Sequence, residues 1–200
     1  MKKKILILNY GFGNYSSIYR ILKRFNNNIE IGNSINQLNK TDIIILPGVG
    51  TFPKAMDHMK RNSIINNLKS IIKKGKNVLG ICLGMQLLTD SSTEIKNTKG
   101  LKLIKGKTIQ LPFENHIGWN NVNFKKKSSF HYLNGKSFYF QHRYFIDSKF
   151  NYEKGFFNMK KKYFIAMIKK KNILGVQFHP EKSQSAGLDF FKIYFDSLND

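Results

Sequence analysis

The chain has 200 residues, 41% of them hydrophobic and 14% aromatic, with a formal net charge of +22. That length and composition can bury a sizeable core and exclude a disordered chain. A single cysteine excludes an internal disulfide framework and fits a reducing compartment. All but four of the 34 basic residues are lysines. They lie in scattered short runs, while arginine, favoured for bidentate recognition of phosphates and bases, is confined to Arg20, Arg24, Arg61 and Arg143. The charge therefore reads as solvated lysine rather than as a nucleic-acid surface.

The start, Met1-Lys-Lys-Lys-Ile-Leu-Ile-Leu, imitates a signal peptide. Its apolar run is too short for a secretory core, and it predicts a first strand over Lys4–Leu8. No run approaches a membrane span, so a cytoplasmic location is expected. The turn Gly11-Phe-Gly13-Asn14 opens a helix carrying Ile18, Ile21, Leu22 and Phe25 at helical spacing. It is no dinucleotide fingerprint, because Ser16 stands where the third glycine would be. An apolar strand over residues 42–46 ends in Pro47-Gly-Val-Gly50, and helices follow over 53–60 and 63–74. A strand over Asn77–Ile81 runs into Gly80-Ile-Cys82-Leu-Gly84 and then a helix over 83–89.

After Gly100 short strands are expected over 101–104, 107–111, 119–124, 137–140, 163–168 and 173–178, with a hairpin turn at 169–172. A final helix over 186–198 places Leu188, Phe191, Phe195 and Leu198 on one stripe. Apolar strands alternating with helices indicate an α/β fold: a mostly parallel central sheet flanked by helices, with an antiparallel elaboration in the second half. One domain over residues 1–200 is expected.

The chemistry concentrates at Cys82. A cysteine between two glycines, at a strand-to-helix turn, has the mechanics of a nucleophile elbow. The helix start beneath it favours thiolate over thiol. His179, at the end of an apolar strand where Pro180 stops the ladder, supplies a base, and Glu181 can orient the imidazole. Gly48 and Gly50 follow a buried strand, where a loop can present N–H groups to a developing oxyanion. No cysteine, histidine and carboxylate cluster has metal-ligand spacing. The pattern points to a cysteine-based acyl-transfer enzyme.

These pieces resemble the class I (triad) glutamine amidotransferases, whose fold is flavodoxin-like. Within them the chain is similar to the glutaminase subunits of imidazole glycerol phosphate synthases, which serve histidine biosynthesis. The matching segments are Tyr10-Gly-Phe-Gly-Asn14, Leu46-Pro-Gly-Val-Gly50, Gly80-Ile-Cys-Leu-Gly-Met-Gln-Leu-Leu88, His116-Ile-Gly-Trp-Asn120 and Gln177-Phe-His-Pro-Glu-Lys-Ser183. The resemblance implies a Cys82, His179 and Glu181 triad that hydrolyses glutamine without a cofactor. It implies an oxyanion hole at Gly50 and Leu83 and a glutamine pocket at Gly48, Gln86, His142 and Tyr144. It further implies a (β/α)₈-barrel synthase partner that receives the ammonia, faced by Asn14, Trp119 and Lys182.

Three positions depart from the family pattern: Asn9 replaces an aspartate, Asn115 a proline and Arg143 a small hydroxyl residue. A paralogous glutaminase feeding ammonia to a sugar amidotransferase of surface-polysaccharide synthesis is the alternative acceptor reading. A non-catalytic basic nucleic-acid-binding protein and a cysteine peptidase or chaperone-like relative on the same fold are the alternatives of other classes.

Overall fold

The computed structural model describes residues 2–25 and 27–198. Nine strands form the main sheet, in the order β2-β1-β3-β4-β13-β12-β11-β8-β9. Its parallel half contains β1 (Lys4–Leu8), β2 (Asn28–Gly32), β3 (Ile43–Leu46), β4 (Asn77–Ile81) and, from the far end of the chain, β13 (Ile173–Val176). Its antiparallel half contains β8 (His116–Phe124), β9 (Ser137–His142), β11 (Glu153–Met159) and β12 (Lys162–Lys170). A small second sheet joins β5 (Ser91–Ser92), β6 (Thr98–Lys99), β7 (Lys107–Gln110) and β10 (Tyr144–Asp147). This is the expected α/β plan with its antiparallel extension.

The parallel strands are apolar throughout because both faces are covered, and side-chain alternation splits them cleanly. Ile5, Ile7, Ile43, Ile45, Leu79 and Val176 pack on one face with Ile18 and Leu22 of α1 (Tyr15–Lys23) and Phe190, Phe191 and Tyr194 of α6 (Gln184–Asp196). Leu6, Leu8, Ile44, Leu46 and Val78 pack on the other. There they meet Leu38 of α2 (Ile35–Lys40), Met59 of α3 (Phe52–Arg61), Leu68 of α4 (Ile64–Lys73) and Met85 of α5 (Leu83–Leu87). Among the described residues no helix is long and apolar enough to cross a membrane.

Several elements differ from the sequence reading. Residues 101–104 are not a strand. The amides of Leu101, Leu103 and Ile104 instead donate to the Leu87 and Leu88 carbonyls, satisfying groups that the end of α5 leaves open. β8 begins at His116 rather than at 119, and the turn before β13 is confined to residues 171–172. The last helix buries Ala186, Phe190, Phe191 and Tyr194, so the stripe of Leu188, Phe195 and Leu198 lies at the rim of the contact. β2, α2 and β11 are further elements: β2 is an edge strand in which only Ile29 is buried, and α2 is held by a Ser34–Gln37 capping box.

The turn from β4 into α5 is packed backbone to backbone. A Cβ added at Gly84 would sit 1.8 Å from the Leu46 carbonyl oxygen, and one at Gly80 would sit 2.7 Å from that of Gly84. Gly84→Ala should therefore destabilise the protein by about 3 kcal/mol or more. In thermal unfolding that appears as a fall in Tm of roughly 6–12 °C. A variant that melts with the wild type would show that β3 and α5 are not locked together here.

Candidate active site

β4 and β13 are parallel neighbours in the register Gly80↔Gly175 and Ile81↔Val176. Two segments nearly half the chain apart therefore leave the sheet at the same edge, where ligand sites of open α/β sheets lie. The Cys82 amide continues the ladder onto the Val176 carbonyl at 2.8 Å. Cys82 then turns the chain with φ 53° and ψ −111° and becomes the N-cap of α5. A non-glycine residue at positive φ is strained, and the packing of Gly80 and Gly84 around it maintains that strain.

The side chains of His179 and Glu181 are both buried. His179 Nδ1 donates to Glu181 Oε1 at 2.8 Å, which leaves Nε2 as the ring nitrogen on the other side. Glu181 Oε2 has no hydrogen-bond partner among the described residues, so His179 is the group its charge serves. The surrounding loop is fixed by Ser183, whose Oγ donates to the His179 carbonyl at 2.6 Å and accepts from the Tyr139 amide at 3.0 Å. Burial alone would lower the His179 pKa. The Cys82 sulfur beside it and Glu181 behind it outweigh burial and raise it to about 10. Imidazolium is thus the favoured form opposite the sulfur.

A cavity of about 280 Å³ opens over Cys82 and His179. Of the residues singled out in the sequence, Gly50, Leu83, Gln86, His142 and Tyr144 line it. Leu83 opens the first turn of α5, where N–H groups have no intrahelical acceptor. Gly48 stands behind the lining instead. A Cβ there would be 2.4 Å from the Gly84 nitrogen, so it lets the loop close onto α5. The Tyr10 hydroxyl donates to the Pro47 carbonyl and ties this loop to the turn after β1.

Asn14, Trp119 and Lys182 are outside the cavity lining. Asn14 caps α1, accepting from the Ser17 amide at 3.3 Å. Trp119 is half exposed and meets the Tyr139 ring edge-on at 6.0 Å. Lys182 reaches over Tyr139 and donates to Gln141 Oε1 at 3.2 Å.

The three departures are accommodated as follows. Asn9 Oδ1 accepts from the Gly11 amide at 3.2 Å, a role an aspartate oxygen would also fill. Asn115 lines the cavity. Arg143 also lines it, but its guanidinium is engaged by the Phe113 carbonyl.

Two residues at the site were given no role from the sequence, although Gln177 opens one of the matching segments. Among the described residues Glu94 is the sole carboxylate lining the cavity; its Oε2 accepts from the Phe52 amide at 2.7 Å, and burial raises its pKa. Gln177, fully buried, donates from Nε2 to Cys82 Sγ at 3.7 Å. Glu94 lies in a serine- and threonine-rich loop with no motif. Gln177 adjoins the His-Pro-Glu segment, and its proximity to the histidine was the available signal. Among the described residues no group of three His, Cys, Asp or Glu side chains could hold a metal ion.

A sulfur at a helix start, facing a carboxylate-backed imidazolium at the rim of a cavity, is equipped for acyl transfer. The family model for glutamine amidotransferase class-I matches residues 6–194. The chain belongs to the class I glutamine amidotransferases. Similar curated relatives include the imidazole glycerol phosphate synthase subunit HisH of Caldanaerobacter subterraneus, 39% identical over 96% of this chain and 97% of the relative. The protein of the same description from Lactococcus lactis is 34% identical over 98% and 100%. Among solved structures, PurLQS from Thermotoga maritima superposes with a TM-score of 0.74 at 20% identity, covering 99% of this chain and 100% of that one. A structure described as glutamine amidotransferase gives a TM-score of 0.72 at 13% identity, over 96% and 98%. At those identities the structural matches establish the fold alone.

The raised pKa of His179 in this amidotransferase has a defined sign. A histidine with a folded pKa above its unfolded value contributes its full stability below about pH 6.5. That contribution is lost as pH rises through about 10. In Cys82→Ser, which lacks the sulfur, the His179 imidazole should titrate lower by NMR, and the decline in stability over that window should flatten. An unchanged His179 midpoint would disprove the coupling.

Proposed function

We infer that the chain is the glutaminase subunit of an imidazole glycerol phosphate synthase, acting in histidine biosynthesis as one amidotransferase domain over residues 1–200. The observation that carries the chemistry is that Cys82 and His179 line one cavity, with His179 paired to Glu181 at 2.8 Å. The acceptor pathway follows the relatives named above, which are described as subunits of that synthase. They favour the histidine acceptor over the sugar-modifying one that the sequence left open.

In this reading the Cys82 thiolate attacks the side-chain amide carbon of glutamine. The N–H groups of Gly50 and Leu83 hold the oxyanion. As the C–N bond breaks, the His179 imidazolium gives its proton to the departing ammonia. Water, deprotonated by His179, then cleaves the thioester to glutamate. Glu181 keeps Nδ1 protonated throughout and so presents Nε2 to the reaction. Gln86, His142 and Tyr144 wall the pocket, and Glu94 is the natural partner for the ammonium group of the amino acid. Gly48 shapes the loop from behind. Ammonia passes to a separate synthase subunit, proposed to be a (β/α)₈ barrel, docked over Asn14, Trp119 and Lys182. No cofactor enters this mechanism, and a cytoplasmic location is proposed with it.

The test is glutamate release by the purified chain with and without the cognate synthase subunit and an acceptor analogue. Stimulation by the partner is expected; its absence would contradict the subunit assignment. Cys82→Ser should lower glutamine-dependent synthesis by at least about a thousandfold while synthesis from ammonium salts by the complex continues. Loss of both activities would argue against separate sites. Glu94→Gln should raise KM for glutamine roughly tenfold with a smaller effect on kcat; an unchanged KM would remove Glu94 from the pocket.

A further inference from the structure

Gln177 is the first residue past β13, and its side chain lies wholly inside the protein. Amide nitrogen and oxygen are alike in shape, so surrounding polarity must fix which one faces the sulfur. Gln86 Nε2 donates to the Tyr144 carbonyl at 2.8 Å, an atom that can only accept. The same nitrogen donates to Gln177 Oε1 at 3.2 Å. Gln177 is thereby left with Nε2 toward Cys82 Sγ, 3.7 Å away.

The Tyr144 carbonyl also accepts from His142 Nδ1 at 2.9 Å. With that proton placed, His142 Nε2 accepts from His116 Nδ1 at 3.0 Å. His116 Nε2 in turn accepts from Asn120 Nδ2 at 3.4 Å, and the same Asn120 amide donates to the Asn158 carbonyl at 2.8 Å. Each link admits one direction. The direction requires both imidazoles neutral, and burial lowers the pKa of His116 to about 4 and that of His142 to about 3. His116 is further held between the rings of Phe140 and Phe157, stacked at 4.6 and 4.7 Å.

We propose that Gln177 is the hydrogen-bond donor that positions the Cys82 sulfur and stabilises its thiolate, with its amide held in that sense by Gln86, whose own amide is oriented by the Tyr144 carbonyl. The proposal rests on Cys82 being the nucleophile. Besides His179, the sulfur is flanked by two polar groups of opposite kind. The Gln141 carbonyl, also at 3.7 Å, can accept only from a thiol, whereas Gln177 Nε2 donates. Loss of the thiol proton forfeits the first contact and strengthens the second.

The test uses the full chain and its complex with the synthase subunit. Gln177→Met keeps the length of the side chain and removes the donor. The titratable and charged groups around Cys82 are His179 with Glu181 behind it, Tyr10 from the loop after β1, and Glu94, His142, Arg143 and Tyr144 in the lining of the same cavity. None of them is altered in this variant. The pH midpoint of Cys82 alkylation by iodoacetamide should move up by about one unit, and kcat for glutamine should fall roughly tenfold with KM little changed. A folded Gln177→Met chain with the wild-type alkylation profile and kcat overturns the proposal. Should the variant not fold, the side-chain amide resonance of Gln177 in the wild type decides. It should shift with the titration of Cys82, stay flat in Cys82→Ser, and overturn the proposal if it does not respond in the wild type. Glutamine hydrolysis surviving in Cys82→Ser would instead refute the proposed nucleophile.

Discussion

The parallel pairing of β4 with β13 is the constraint on which the rest of the site depends. Neither strand is long, yet their register places Cys82 and His179 at one edge of the sheet. The register sets Gly80 against Gly175, where an added Cβ would meet the Gly84 carbonyl oxygen or Met85 at under 3 Å, so a slip would put a side chain where there is no room for one. The sulfur and the imidazole thus inherit their proximity from the pairing of two neighbouring strands.

Around that edge the protein arranges polar groups in low-dielectric surroundings, where an unpaired one is costly. Glu181 is committed to His179, Ser183 ties the loop that carries both to β9, and Gln86 serves two acceptors with one amide nitrogen. The loop at Pro47–Gly50 is held differently. It is anchored by Tyr10 and pressed onto α5 at Gly48, while Val49 stays exposed at 43%. A loop fixed at one end and exposed at its tip is the part of the cavity rim that a proposed partner could reach. That placement accords with an activity gated by a second subunit.

The parallel half of the fold was legible in the sequence because its strands are uninterrupted apolar runs and its longer helices carry a clear apolar face. The candidate triad stood out in the sequence because glycines flank Cys82, and because Pro180 and Glu181 follow His179 directly. The antiparallel half was harder to read. The β11–β12 hairpin turns at Lys160 and Lys161, both at positive φ, where asparagine and glycine would have marked a turn. Residues 101–104 look like a strand by composition, but their amides are claimed by the end of α5. Glu94 and Gln177 were missed for a different reason. Each becomes informative only through its neighbours, the α3 amide in one case and the Cys82 sulfur in the other.

The central claim is that Cys82 carries the acyl group of glutamine. The direct measurement is mass spectrometry of the complex, acid-quenched during glutamine turnover and digested. A γ-glutamyl thioester on the Cys82 peptide, lost on treatment with hydroxylamine, is the predicted result. Steady glutamine turnover with Cys82 unmodified, under quench conditions that preserve a model thioester, would contradict it.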